Sequence, residues 1–420
     1  MKVDSRKRFS TNVNVDGYDY AVGSCRLFLC FLGAWPDPYH DSNWTSNTRI
    51  LIATLTMFLF ATLSQTIKLL MSYKNLNVII EILSNCDIPT TIAMVKIISI
   101  WYHRYVLKDL LRQIIEDWKM PHTSHELTIM WKNAKISRFF TIGCLFMTES
   151  TLVAQCIVGF LGPAAYIMGK SIANKSVEWP LYMMGWFPYD TQMSIYYELT
   201  MLGQFMSNVF ASTSFSSADS FFVILMFHLI GQLSILKLTI YDLSRQIQNE
   251  DDRRQFMDQF DFVHSMHTRL WRFSSAIEQS FNMMFLIQLV PCIFGLCAQG
   301  FQLIMITGAE CISVMDLIFM TYFLVLFLFT LFTYCYVTEI LRRKSVEISY
   351  AVYDSDWTIL PAREAKLLVL LITRAQHPFE ITAGKFVSFS LKLYCRILKT
   401  SVGYLSMLLA VKDRMIERSE

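Results

Sequence analysis

The residues best placed to do chemistry in this 420-residue chain are charges set inside apolar sequence. Lys385, Lys392, Arg396 and Lys399 punctuate a C-terminal stretch that reads as helix from Ala383 onward. At about 100° per residue the four cations fall within about 60° of one another, so they form one stripe. The stripe continues through Gly403, Ser406, Met407 and Ala410, whereas Val411 sits about 80° from the line through Lys385. Charges at membrane depth are tolerated where they meet protein partners or water, which makes this face a candidate pore wall. The blander reading is a helix whose lower half lies in cytosol with its cations solvated, and the two agree if that half lines a vestibule. Two acids stand out in the same way. Glu149 lies about 16 Å beyond Arg138 if helical, near mid-depth of a membrane core, where it must be neutral, paired or facing water. Asp219 lies about 42 Å beyond Thr191, which predicts a hydrogen-bonding role in a cytosolic extension. No nucleophile-elbow, metal-binding or phosphate-loop spacing occurs, so the expectation is a non-enzyme needing no cofactor and no metal.

The elements that carry these residues follow from composition. Hydrophobic residues make up 54% of the chain and charged ones 17%, a balance that points to a bilayer as solvent. A net charge of +3 gives no support for nucleic-acid binding. The ten cysteines are scattered through apolar stretches without metal or disulfide spacing and read as small buried hydrophobes. Met1 to Ser10 is charged with no apolar core behind it, so no cleaved signal peptide is expected.

Uncharged or nearly uncharged runs mark the spans: Ile50 to Ile67; the weaker Asn77 to Tyr102, interrupted by Glu81, Asp87, Pro89 and Lys96; Phe139 to Met168; Phe281 to Thr307; and Leu317 to Val337. The fourth span starts near Thr191 and stays apolar to Leu236, about 67 Å of helix, so its cytosolic half must project beyond the membrane. With the last helix this makes an all-α, seven-span polytopic membrane protein. Lys and Arg concentrate before Arg49 and in the segments His103–Arg138, Lys237–Arg272 and Arg342–Arg374, which places these inside, the N-terminus in the cytoplasm and the C-terminus outside. That is the inverse of a G-protein-coupled receptor, and neither Asn-Pro-x-x-Tyr nor Asp-Arg-Tyr occurs. The expected divisions are a cytosolic segment 1–49, six spans over 50–337, a cytosolic helical anchor region 338–382, a pore-lining last helix 383–412 and an extracellular tail 413–420. The sequon at Asn174 is predicted to be external and glycosylated, while the one at Asn43 is cytosolic and unused.

The C-terminal third carries Phe332-Thr333-Tyr334-Cys335-Tyr336 with Glu339 and Ser345, Ala351-Val352-Tyr353, Trp357, Gln376-His377-Pro378, Ala383-Gly384-Lys385-Phe386, and Leu398 to Tyr404. In this order these residues resemble the insect odorant receptors. The resemblance thins earlier to Trp179-Pro180, Pro188, Asp219, His228 and Gln232. Thr338 and Val402-Gly403 depart from the usual pattern. The resemblance implies an odorant-gated cation channel in the plasma membrane of an olfactory sensory neuron dendrite. It also implies a tetramer with the shared odorant co-receptor, contacts made mostly through the anchor domain, and membrane lipid around it. Lacking the co-receptor's long second cytosolic insert, this chain looks like an odorant-specific member. The family's constriction near the outer end of the last helix maps onto Met407 and Val411 with Ala410 between.

A small volatile ligand, mostly apolar, asks for an enclosed apolar cavity with few polar groups and aromatic walls. The resemblance puts it among spans two, three, four and six. Candidates there are Leu83 and Cys86; Thr148, Glu149, Leu152 and Gln155; Tyr196, Tyr197, Met201 and Gln204; and Phe319, Tyr322 and Phe323. A gustatory-type receptor is the nearest alternative, but its usual ending is not reproduced by Thr400-Ser401 and Ala410. A secondary transporter would show internal repeats and paired broken helices, and neither is found.

Overall fold

A computed structural model describes residues 12–40, 44–72, 79, 82–83, 87–172, 179–243, 250–307, 314–355, 357 and 360–417. Its helices are α1 (Asn12–Leu32), α2 (Trp44–Met71), α3 (Ile88–Tyr102), α4 (Arg104–Lys119), α5 (Ser124–Ile172), α6 (Ser194–Leu243), α7 (Glu250–Thr307), α8 (Val314–Tyr353), α9 (Ala362–Ala375) and α10 (Leu391–Glu417). Five of them, α2, α5, α6, α7 and α8, carry stretches long and apolar enough to cross a bilayer. The shorter apolar α3 and the amphipathic α10 complete seven spans. At 50 residues α6 is about 75 Å long, and α7 at 58 residues is longer still, so each spans only with part of its length. The basic ends of α4 to α8 lie on one side and are cytosolic by the positive-inside rule.

Burial sorts the helices. Within its apolar window α6 is 78% buried and α2 only 33%, so α6 is the axis of the bundle and α2 faces lipid. Helices α1, α2, α3, α5, α7 and α8 all pack on α6. The N-terminal segment is itself a core element, since Tyr18, Val22, Cys25, Leu29 and Leu32 of α1 are buried at helical spacing. The cytosolic end is knitted by charge: Asp117 of α4 accepts from His228 of α6 at 3.0 Å and from Arg269 of α7. Burial pushes the Asp117 carboxyl up, but these two partners outweigh it and hold it below the ordinary carboxylate range. Helix α5 opens with a reciprocal cap, Thr123 N–H to Glu126 and Glu126 N–H to the Thr123 hydroxyl.

One element differs from expectation. The last helix starts at Leu391, capped by the Ser390 hydroxyl accepting the Leu393 N–H at 3.2 Å. Ala383 to Phe386 instead form the turn of a hairpin between β1 (Thr382–Ala383) and β2 (Val387–Ser388), with Gly384 at φ 59° and Lys385 at φ 64°. Lys385 therefore does not belong to the helical stripe. The hairpin docks on α7 through Gly384 N–H to the Asn282 carbonyl, 2.9 Å, and the Thr382 hydroxyl to Glu278, 2.7 Å.

Candidate functional site

Between α3, α5, α6 and α8 lies a mostly apolar cavity of about 70 Å³. Three helices line it with the same i, i+3, i+4, i+7 spacing, the pattern by which a helix turns one face inward. They supply Thr148, Thr151, Leu152 and Gln155 from α5; Asn208, Ala211, Ser212 and Phe215 from α6; and Phe323, Leu326, Phe327 and Thr330 from α8. Pro89 and Thr90 of α3 and Met183 of the loop before α6 close it.

Of the residues singled out from sequence, Thr148, Leu152, Gln155 and Phe323 line this cavity. Glu149 does not. It sits one step behind the wall, accepting hydrogen bonds from Ser212 at 2.9 Å and Ser216 at 3.3 Å. The α6 candidates lie farther out and hold the 179–193 loop. Gln204 accepts from the Met183 N–H at 3.1 Å and donates to the Met183 carbonyl at 3.0 Å, the Met201 sulfur accepts from the Tyr182 N–H, and the Tyr197 hydroxyl donates to the Pro180 carbonyl. Tyr196 is exposed against Tyr189. Tyr322 turns to α5, bonding Ser150 and the Met147 carbonyl, and half-buried Leu83 is not in the wall. Cys86, Asn174 and the side chains of Phe319 and Val411 lie outside the described residues. The other wall residues, Thr151, Asn208, Ser212, Phe215, Phe327 and Thr330 among them, were missed. The signal for them is the heptad-like spacing on α5, α6 and α8, hidden because the inward-folded loop fills the outer turns of α6.

Directly beneath the cavity the ammonium of Lys96 rests 3.3 Å from the centre of the Phe215 ring. Its side chain is fully buried and pairs with Asp219, which also accepts from the Tyr334 hydroxyl. Asp219, expected as a hydrogen-bonding residue, makes those bonds inside a buried ion pair that joins α3, α6 and α8, with a lysine that sequence alone marks only as an interruption of span two. Gln288 of α7 completes the cluster, and the Phe389 ring leading into α10 packs on Tyr334 at 5.9 Å and on Phe285 at 5.1 Å.

The outer half of α10 has two faces. Ser401 and Leu405 meet α7, where the Cys297 thiol bonds the Ser401 carbonyl and Leu405 lies against Gly300; a Cβ at Gly300 would stand 3.1 Å from the Leu405 methyl. The other face, with Gly403, Ser406, Met407 and Ala410, is exposed in the single subunit, Met407 by 64%.

The 7tm Odorant receptor family matches residues 79–402. Odorant receptor 13a of Drosophila melanogaster is 22% identical over 92% of this chain and 94% of its own length, and odorant receptor 9a of the same fly is 21% identical over 76% and 78%. Among solved structures, the insect olfactory receptor OR5 from Machilis hrabei in complex with eugenol superposes with a TM-score of 0.75 at 17% identity, covering 94% of this chain and 100% of that one. A second structure of the same receptor gives a TM-score of 0.73 at 16% identity. Likeness at such identity speaks for fold, while the family match spans most of the chain: this protein belongs to the 7tm odorant receptor family of insects.

Proposed function

We propose that this chain is the odorant-specific subunit of a ligand-gated non-selective cation channel, assembled as a tetramer with the shared co-receptor. A small, mostly apolar molecule enters the cavity between α3, α5, α6 and α8 and opens a pore lined by the Gly403–Ala410 face of α10. The observation that carries this reading is an unbroken run of contacts from cavity to last helix: Phe215 in the wall, Lys96 on its ring, Asp219 and Tyr334 around the ammonium, and Phe389 against Tyr334 at the entrance to α10. A ligand drives opening only by binding the open arrangement more tightly than the closed one, so the wall that it touches must move with the helix that it gates. The exposed stripe of α10 is consistent with a face turned to a pore axis in an assembly. The eugenol complex of OR5 is in keeping with a small-molecule ligand.

The test is current recording from cells expressing this chain with and without the co-receptor across a chemically broad odorant panel. Odorant-evoked inward current that requires this chain is expected. Silence to every class, with the protein verified at the cell surface, rejects the reading.

A further inference from the structure

The polar groups in the cavity wall are not evenly divided between donors and acceptors. A hydroxyl has one hydrogen to give and two lone pairs to receive. The Thr148 hydroxyl already donates to the Cys144 carbonyl at 2.9 Å, Thr151 to the Met147 carbonyl at 2.8 Å and Thr330 to the Leu326 carbonyl at 3.0 Å, each bonding back one turn along its own helix. The Ser212 hydrogen goes to Glu149 at 2.9 Å. Asn208 uses its amide hydrogens on the Gln155 side-chain oxygen at 2.8 Å and on the Tyr182 hydroxyl at 2.7 Å. Thr90, also in the wall, adds a hydroxyl that can give as well as receive. Among the described wall residues four hydroxyl oxygens and one amide oxygen therefore remain as acceptors, against two groups with a hydrogen to offer, the Gln155 amide and the Thr90 hydroxyl.

Resting on the reading of this cavity as the odorant site, we infer that the receptor selects small neutral alcohols and phenols over aldehydes, ketones, ethers and hydrocarbons of the same shape. A ligand hydroxyl gives its hydrogen to the threonine-rich wall and takes one from Gln155, so both of its capacities are used. A carbonyl compound can use only the two donors, Gln155 and Thr90, and faces four or more oxygens that it cannot bond. A hydrocarbon leaves all of them unpaired, although their existing bonds keep that cost below the cost of stranding a bare polar group. The rest of the wall, with Phe215, Phe323, Phe327, Leu152 and Leu326, holds the apolar body of the ligand. At about 70 Å³ the cavity is well below the roughly 300 to 1,000 Å³ of drug-sized pockets, which favours molecules with few carbons.

Two near-isosteric sets test this: benzyl alcohol, benzaldehyde and ethylbenzene, and 1-hexanol, hexanal and heptane. Each is applied to cells expressing this chain with the co-receptor, and any member that does not open the channel is scored as a competitor of an odorant from the panel that does. In at least one set the alcohol should act at about tenfold lower concentration than its aldehyde and its hydrocarbon, the scale of one net hydrogen bond. Thr148→Val with Thr151→Val keeps shape while removing two acceptors, and should bring alcohol and hydrocarbon within about twofold while leaving the hydrocarbon's own potency equal or improved. An aldehyde or hydrocarbon equal to its alcohol, or an alcohol preference that survives the double variant with normal surface expression, overturns the inference while leaving the receptor reading intact. A chain that answers no odorant on the panel overturns both.

Discussion

The Lys96–Asp219 pair is the residue on which the interior turns. Taking two charges out of water costs several kcal/mol each, and that cost is met only if the ions bond to each other and to further polar groups. Here the Tyr334 hydroxyl shares the carboxylate, the Phe215 ring lies against the ammonium, and Gln288 stands at Tyr334. Lys96→Met leaves Asp219 without its cation, and Asp219→Leu strands Lys96; each is expected to cost about 3 to 5 kcal/mol. The double variant replaces both charges with apolar bulk and should recover most of that loss. Surface expression together with thermal unfolding of the purified protein checks this, and single variants as stable as the double would sink it. Nothing in the periodicity of either helix announces the pair, because the partners are 123 residues apart and a lysine in an apolar run looks like a defect until its partner is known.

At the scale of elements, much was legible where composition alone decides. The spans at Ile50, Phe139, Phe281 and Leu317, the overlong α6 and the basic cytosolic ends all follow from hydropathy and charge. What was not legible depends on tertiary context. Helix α1 carries its buried residues at Tyr18, Val22, Cys25 and Leu29 among polar neighbours, so its composition hides a core helix. The cavity wall on α6 lies about three turns beyond the residues singled out from sequence, because the 179–193 loop folds against the outer turns. The hairpin before α10 is set by two successive positive-φ residues in a stretch that composition reads as helix. Gly384→Ala puts a Cβ 2.5 Å from a Leu286 methyl at φ 59°, and should destabilise the docked hairpin by about 1 to 2 kcal/mol. Lys385→Gly relieves the strain at φ 64° and should be neutral or stabilising; equal melting temperatures for the two variants would refute this account. Beyond the hairpin, Met407 is the largest side chain among Gly403, Ser406, Met407 and Ala410 on the exposed outer face of α10. Met407→Ala is expected to raise basal leak or shift cation permeability ratios when expressed with the co-receptor, and unchanged values for both would remove Met407 from the pore.

The whole molecule is held at its cytosolic end by packing among α4, α6, α7, α8 and α9, and one buried histidine should make that end sensitive to acid. His267 of α7 is 3% exposed, its ring 5.9 Å from Phe379, whose N–H donates to Ser345 of α8 at 2.9 Å. Burial, with Arg374 and His264 nearby, lowers its pKa from 6.5 to about 4. In the folded chain His267 therefore stays neutral down to about pH 4, whereas in the unfolded chain it takes up a proton near pH 6.5. The unfolded state binds more protons throughout that window, so stability falls as pH drops from about 6.5 to 4 and the effect of this group saturates below. Its full extent is at most about 3 kcal/mol, or roughly 3 °C in melting temperature for a chain of this length. The Asp117 cluster acts in a different window, since a carboxylate held below its ordinary value of 3.8 loses its contribution only at lower pH. His122, raised by the Glu126 and Asp117 bonds that outweigh its burial, shifts the balance the other way, stabilising on the acid side. Replacing His267 by Phe keeps an aromatic ring against Phe379 and removes the titration. Melting curves of the purified receptor at pH 7.5 and pH 4.5 should show a smaller acid-induced drop in His267→Phe than in the parent, and an equal drop in both would show that acid enters the fold elsewhere.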